Sequence, residues 1–98
     1  MYQSTGMPEF YQESKKGKFK IIDVREVDEY EMGHIPGVKN LPLSGIGETF
    51  NSLDKSETYH IICQSGGRSA MACEFLGNQG YNVVNVLGGM SSWMGDVE

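Results

Sequence analysis

The sequence predicts an α/β fold, a parallel sheet covered by helices, and three observations support this. Short apolar runs rich in β-branched residues recur at positions 19–24 (FKIIDV), 59–62 (YHII) and 82–86 (NVVNV), as expected of strands buried on both faces. Patterns of helical period separate them, which is the alternation that parallel strands need for their crossovers. A glycine-rich loop joins the second run to the clearest helical pattern, the position where open parallel sheets bind ligands.

In chain order, residues 2–4 read as a short first strand and residues 7–14 as a helix capped by Thr5. The 19–24 run is a central strand, followed by a helical pattern over 27–32 that stops at Gly33. Pro36 and Pro42 bracket a short extended piece at 38–40, and residues 46–53 form a less regular helical stretch. After the 59–62 strand comes Cys63, then a helix over 69–79 whose Ala72, Phe75 and Leu76, with Met71 beside them, share one face. Gly77 weakens that helix, Gly80 ends it, and the 82–86 strand follows.

A chain of 98 residues has room for one core, so positions 1–98 are expected to form a single domain and not a two-domain enzyme. With 13 acidic against 8 basic side chains the net charge is -5, which argues against nonspecific binding to nucleic acid or to an anionic membrane. No apolar run is long enough to cross a bilayer, and the first ten residues lack a basic start, so the expected location is cytoplasmic. Only Cys63 and Cys73 are available as thiols, with no CxxC pair and no cluster of histidines. Neither a metal, nor a structural disulfide, nor a cofactor is therefore expected.

The loop Cys63-Gln64-Ser65-Gly66-Gly67-Arg68-Ser69 carries the chemistry. Adjacent glycines let a short loop curl until several backbone N–H groups point at one spot, and the following helix adds its positive end. A thiol at the rim of such a cradle loses its proton more easily than a free cysteine, so Cys63 is expected to have a depressed pKa. Four residues separate Cys63 from Arg68, whereas cysteine-dependent phosphatases place five between their Cys and Arg to surround a phosphate. The tighter ring suits one extra sulfur atom on Cys63, which favours a persulfide.

These residues resemble the rhodanese domain, whose active loop is a Cys, four residues and often an Arg. Asp23-Val24-Arg25-Glu26 is similar to that family's DVRE segment, and Gly33-His34-Ile35-Pro36-Gly37-Val38-Lys39-Asn40 to its GHIPGAxN segment. Leu87-Gly88-Gly89-Met90 through Trp93 is similar to its LxGGxxxW end, so the resemblance spans residues 21–93. It implies a rhodanese-like domain with a central parallel five-stranded sheet and helices on both faces. It also implies a sulfurtransferase in which Cys63 takes a sulfane sulfur from a donor such as thiosulfate or a persulfide and yields it to a thiol or to cyanide. Carried over by position, Cys63 is the nucleophile and the backbone of Gln64, Ser65, Gly66, Gly67 and Arg68 holds the charged sulfur. Arg68 and the hydroxyls of Ser65 and Ser69 orient the donor, with Asp23 and Arg25 in support. Many members place a basic residue directly after the Cys, where this chain has Gln64, and that reduces the positive charge facing thiosulfate.

Other residues read as structural. Cys73 sits inside a helix as a small packed side chain, and His34 closes a Gly-His-Ile-Pro turn. His60 is expected on the surface, while Trp93 and the methionines serve packing, with Met90 and Trp93 near the pocket mouth. An alternative function of another class is a carrier module that passes a persulfide between proteins, suggested by Gln64 and the acidic surface.

Overall fold

A computed structural model of the chain describes residues 2–17 and 20–98. Five strands, β1 (Gln3–Thr5), β2 (Lys20–Asp23), β3 (Lys39–Asn40), β4 (Thr58–Ile62) and β5 (Asn82–Val86), form one sheet in the order β1-β5-β4-β2-β3. Every pairing is parallel. The four α-helices described are α1 (Met7–Ser14), α2 (Val27–Glu31), α3 (Ile46–Thr49) and α4 (Gly67–Asn78), with 3-10 turns at Leu43–Gly45, Phe50–Ser52 and Gly89–Ser92. The α/β architecture expected from the alternation is the one observed.

Successive strand residues point to opposite faces, and the apolar residues divide accordingly. Ile22, Tyr59, Ile61 and Val83 pack with Ile46 of α3 and with Ala72, Cys73 and Leu76 of α4. Ile62 and Val86 pack on the other face with Met7 and Phe10 of α1, joined by Ile35, Val38 and the half-buried Tyr30 of α2. Both faces of the sheet are thus covered, which is why its central strands are continuous apolar runs.

Several expected boundaries shift for local reasons. The β2 strand starts at Lys20 among the described residues, and Phe19 of the predicted run lies outside them. Thr5 does not cap α1: it ends β1, Gly6 takes the cap position in extended backbone, and no side chain bonds there. The α4 helix begins at Gly67, two residues before the expected start, because Gly66 at φ 112° turns the chain directly into the helix. Residues 46–53 break into short pieces because hydroxyls compete with the helical ladder, Thr49 Oγ1 donating to Gly45 O at 3.2 Å and Ser52 Oγ to Thr49 O at 2.9 Å. His60 is half-buried rather than on the surface, its ring 5.8 Å from that of Phe10.

The β5 strand runs into a turn that locks the cysteine loop. Met90 N–H donates to Cys63 O at 2.8 Å and Ser91 N–H to Gln64 O at 2.9 Å. Gly89 makes that approach possible: its φ is +55°, and a Cβ there would overlap Cys63 O and come within 2.7 Å of the Gln64 carbonyl carbon. Overpacking against rigid backbone and a left-handed conformation both penalise a side chain at this position. Gly89→Ala should therefore destabilise the fold by about 3 kcal/mol in urea unfolding. A loss below about 0.5 kcal/mol would show that the turn does not hold the loop.

Candidate active site

Cys63 follows the last residue of β4, at the carboxyl edge of the sheet's central strand. It is 1% exposed and packs within the core on the α4 side, so a donor must enter the loop to meet the sulfur. The loop nonetheless turns toward it. Gly66 N–H donates to Cys63 Sγ at 3.1 Å, and the Ser69 hydroxyl lies 3.4 Å from the same sulfur. Burial pushes the thiol pKa up, but the Ser69 hydroxyl and the backbone amides of Ser69, Gly66 and Ser65 act against it, and the net result lies below the ordinary value.

The expected loop residues fall into two groups. Gln64, Ser65 and Gly67 are exposed around the opening, while Gly66 is half-buried and supplies the amide that touches sulfur. Ser69 is 0% exposed, so its hydroxyl lies beside Cys63 Sγ inside the loop and not at the opening. Because α4 starts early, Ser69 turns inward, where its hydroxyl approaches Gly66 O at 3.0 Å and Asn85 Oδ1 as well as Cys63 Sγ. The hydroxyl has a single proton, for which Gly66 O and Asn85 Oδ1 compete while the Cys63 thiol donates to Ser69 Oγ, and ionisation of Cys63 turns the sulfur into a third acceptor.

Arg68 is also placed differently from a free anion-binding cation. Its Nη2 donates to Glu29 Oε2 at 2.8 Å and its Nη1 to Glu29 Oε1, a bidentate pair between two side chains about one-third exposed. This contact holds the Glu29 carboxyl down at about 2. The Arg68 pKa is raised, first by the hydrogen bond to Glu29 and also by the nearby charge of Cys63.

Asp23 and Arg25 form a buried support behind the loop. Arg25 Nη2 and Nε donate to the Asp23 carboxylate at 2.8 and 3.1 Å, and the Arg25 backbone N–H donates to Asp23 Oδ1 at 3.0 Å. Arg25 also donates to Gly33 O at 2.8 Å and reaches Gln64 Oε1 at 3.5 Å. The pair thereby ties β2, the turn after α2 and the active loop together. Asn40 Nδ2 completes the anchor by donating to Asp23 O and Arg25 O, each at 2.9 Å.

The remaining candidates play structural parts. His34 stacks on Tyr30 at 3.7 Å, with its Nδ1 2.8 Å from Tyr30 O, and Trp93 packs edge-on against Phe10 and Tyr11. Cys73 is fully buried, and burial, with a smaller contribution from Cys63, pushes its thiol up to about 12. Two participants escaped the sequence reading. Asn85 is 3% exposed, and its signal was an amide at an inward position of NVVNV, on the same face as Val83. Glu29 offered none, because its partner lies 39 residues away.

A family model described as the rhodanese-like domain matches residues 7–96. The chain belongs to this family. Among curated relatives, "Putative sulfur carrier protein YrkF" of Bacillus subtilis (strain 168) is 40% identical over 97% of this chain, which spans 55% of that protein's length. "Putative sulfurtransferase YtwF" of the same organism is 42% identical over 80% of this chain and 76% of its own. Among solved structures, a rhodanese-like domain protein from Staphylococcus aureus is 39% identical with a TM-score of 0.90, covering 98% of this chain and 96% of that one. A rhodanese-related protein from Thermoplasma volcanium is 38% identical with a TM-score of 0.87, covering 94% of this chain and 90% of that one. Among the described residues no helix is long and apolar enough to cross a membrane.

A depressed pKa leaves more thiolate at low pH, so reactivity should persist below the pKa of an unfolded cysteine and fall only as pH drops through the folded value. The alkylation midpoint of Cys63 by iodoacetamide is therefore expected at lower pH in the native protein than in the urea-unfolded chain, with Cys73 unmodified in the native state. Equal midpoints in both states would show that the loop amides do not stabilise the thiolate.

Proposed function

We propose that this rhodanese-like domain is a sulfurtransferase that carries sulfane sulfur as a persulfide on Cys63. The observation that supports this most directly is the Gly66 N–H aimed at Cys63 Sγ at 3.1 Å, inside a ring of only four residues between Cys63 and Arg68. In the first step the Cys63 thiolate attacks the outer sulfur of the donor. The new Cys63 S–S bond forms as the donor's own S–S bond breaks, and its electron pair leaves with sulfite from thiosulfate or with a thiolate from a persulfide. The terminal sulfur on Cys63 keeps one negative charge, which amides that already stabilise the thiolate are placed to hold. A thiol or cyanide then attacks that sulfur and restores the Cys63 thiolate. Cys63 is the nucleophile, Gln64, Ser65, Gly66 and Gly67 frame the opening, and Asp23 and Arg25 brace the loop from behind.

The likeness to a protein described as a sulfur carrier favours a second reading, in which the same persulfide passes chiefly from protein to protein. Slow steady-state turnover with thiosulfate beside fast single-turnover transfer from a persulfidated protein would select the carrier. The reverse pattern would select the small-molecule enzyme.

For either reading, Cys63→Ser should abolish transfer, by about 10⁴-fold or more as expected for loss of a covalent nucleophile. Mass spectrometry should find one added sulfur atom on Cys63 after donor treatment, removed by cyanide. Sustained transfer by the serine variant would sink the covalent mechanism.

A further inference from the structure

Resting on the persulfide reading of Cys63, we infer that Glu29 is a specificity-determining residue. By clamping the Arg68 guanidinium it biases the site toward persulfide donors, whose reacting end carries at most one negative charge, and away from dianionic thiosulfate.

The charge arrangement around the loop carries this inference. Arg68 is the cation closest in sequence to the loop amides, and two of its three guanidinium nitrogens are engaged by the Glu29 carboxylate. Arg25, the second arginine at the loop, is neutralised by Asp23 and directs its other contacts to Gly33 O and Gln64 Oε1. Glu26 adds a third carboxylate close enough to act on Arg68, and its own oxygens are held by Ser44, with Ser44 Oγ donating at 2.7 Å. At the loop the Arg68 charge therefore faces two carboxylates, Glu29 and Glu26, while the Asp23–Arg25 pair is buried and neutral as a whole. The residue after the nucleophile, Gln64, contributes no charge.

What remains positive is the set of backbone dipoles at Cys63 Sγ, which act over a few ångströms and serve one sulfur anion. Thiosulfate brings a second charge on its sulfonate end, and among the described residues the arginine closest in sequence to the loop amides is already held by Glu29. An alkyl persulfide places an uncharged or singly charged S–S end at the same amides, and its organic part needs no counter-ion at the rim. Discrimination by unpaired or like charge against the wrong ligand is a general route to specificity. With its carboxyl held down at about 2, Glu29 is ionised at neutral pH and keeps the charge that pairs with Arg68.

The test compares second-order rate constants for sulfur loading on Cys63, followed by mass spectrometry, with thiosulfate and with the persulfide of 2-mercaptoethanol, whose organic part is uncharged, as donors. In Glu29→Gln the side chain keeps its shape but loses its charge, and the thiosulfate-to-persulfide ratio should rise about fivefold or more. That gain should come through tighter half-saturation by thiosulfate and vanish in Glu29→Gln with Arg68→Gln. A structural loss would lower both rates without this dependence on Arg68. A ratio that stays constant or falls in Glu29→Gln, or a gain that survives removal of Arg68, overturns the assignment. Independently of any variant, thiosulfate loading of the unaltered protein should hold or rise as salt screens the exposed carboxylates. A steep fall with salt would reveal a free cation and overturn the clamp. Should the unaltered protein gain sulfur from neither donor, the persulfide reading itself fails; a failed ratio with normal loading removes only the role of Glu29.

Discussion

The site depends on one constraint: Cys63 must sit on the carboxyl edge of a central parallel strand while the chain immediately after it bends back far enough to aim amides at its sulfur. Hydrogen bonds from the Gly89–Ser92 turn fix the first part, by holding the carbonyls of Cys63 and Gln64 at 2.8 and 2.9 Å. Gly66 at φ 112° supplies the second, since it lets α4 start at Gly67, four positions after Cys63. A buried thiol without those amides would be pushed up in pKa, as happens at Cys73. Two cysteines of one core thus take opposite electrostatic characters from the backbone around them.

Rigidity around the loop comes from pairs that cross between elements. The Asp23–Arg25 pair is buried, with side chains 0% and 5% exposed, and its charges are fully bonded. Buried ion pairs contribute little net stability but strongly restrict geometry, because leaving either partner unpaired is costly. Here the restriction falls on the turn after α2 and on Gln64, both beside the opening. The exposed Arg68–Glu29 pair contributes modestly to stability, so its main consequence is where it keeps a positive charge.

The legibility of the sequence follows how local each signal is. The β5 strand and the α1 helix occur at the expected bounds, because β-branched alternation and a helical apolar face are written into consecutive residues. The cap of α1 and the start of α4 were misplaced, since glycine at Gly6 and Gly66 occupies positions where a side-chain cap or a longer loop was expected. The supporting place expected for Asp23 and Arg25 agrees with the contacts of Arg25, which reach Asp23, Gly33 and Gln64 of the loop. The same reasoning placed Ser69 and Arg68 toward the donor, and both have other partners in the folded chain.

By itself, then, the sequence determined the α/β class, the order of its elements, the family and the cysteine that we propose as the sulfur carrier. Each of these depends on spacing along the chain: alternation within strands, a four-residue interval from Cys63 to Arg68, glycines where the backbone must turn. Only the tertiary structure decided which partners the polar groups around the loop take. Glu29 meets Arg68 across 39 positions and Asn85 meets Ser69 across 16. Such pairings depend on the crossing of helices over a twisted sheet, which no local pattern of residues records.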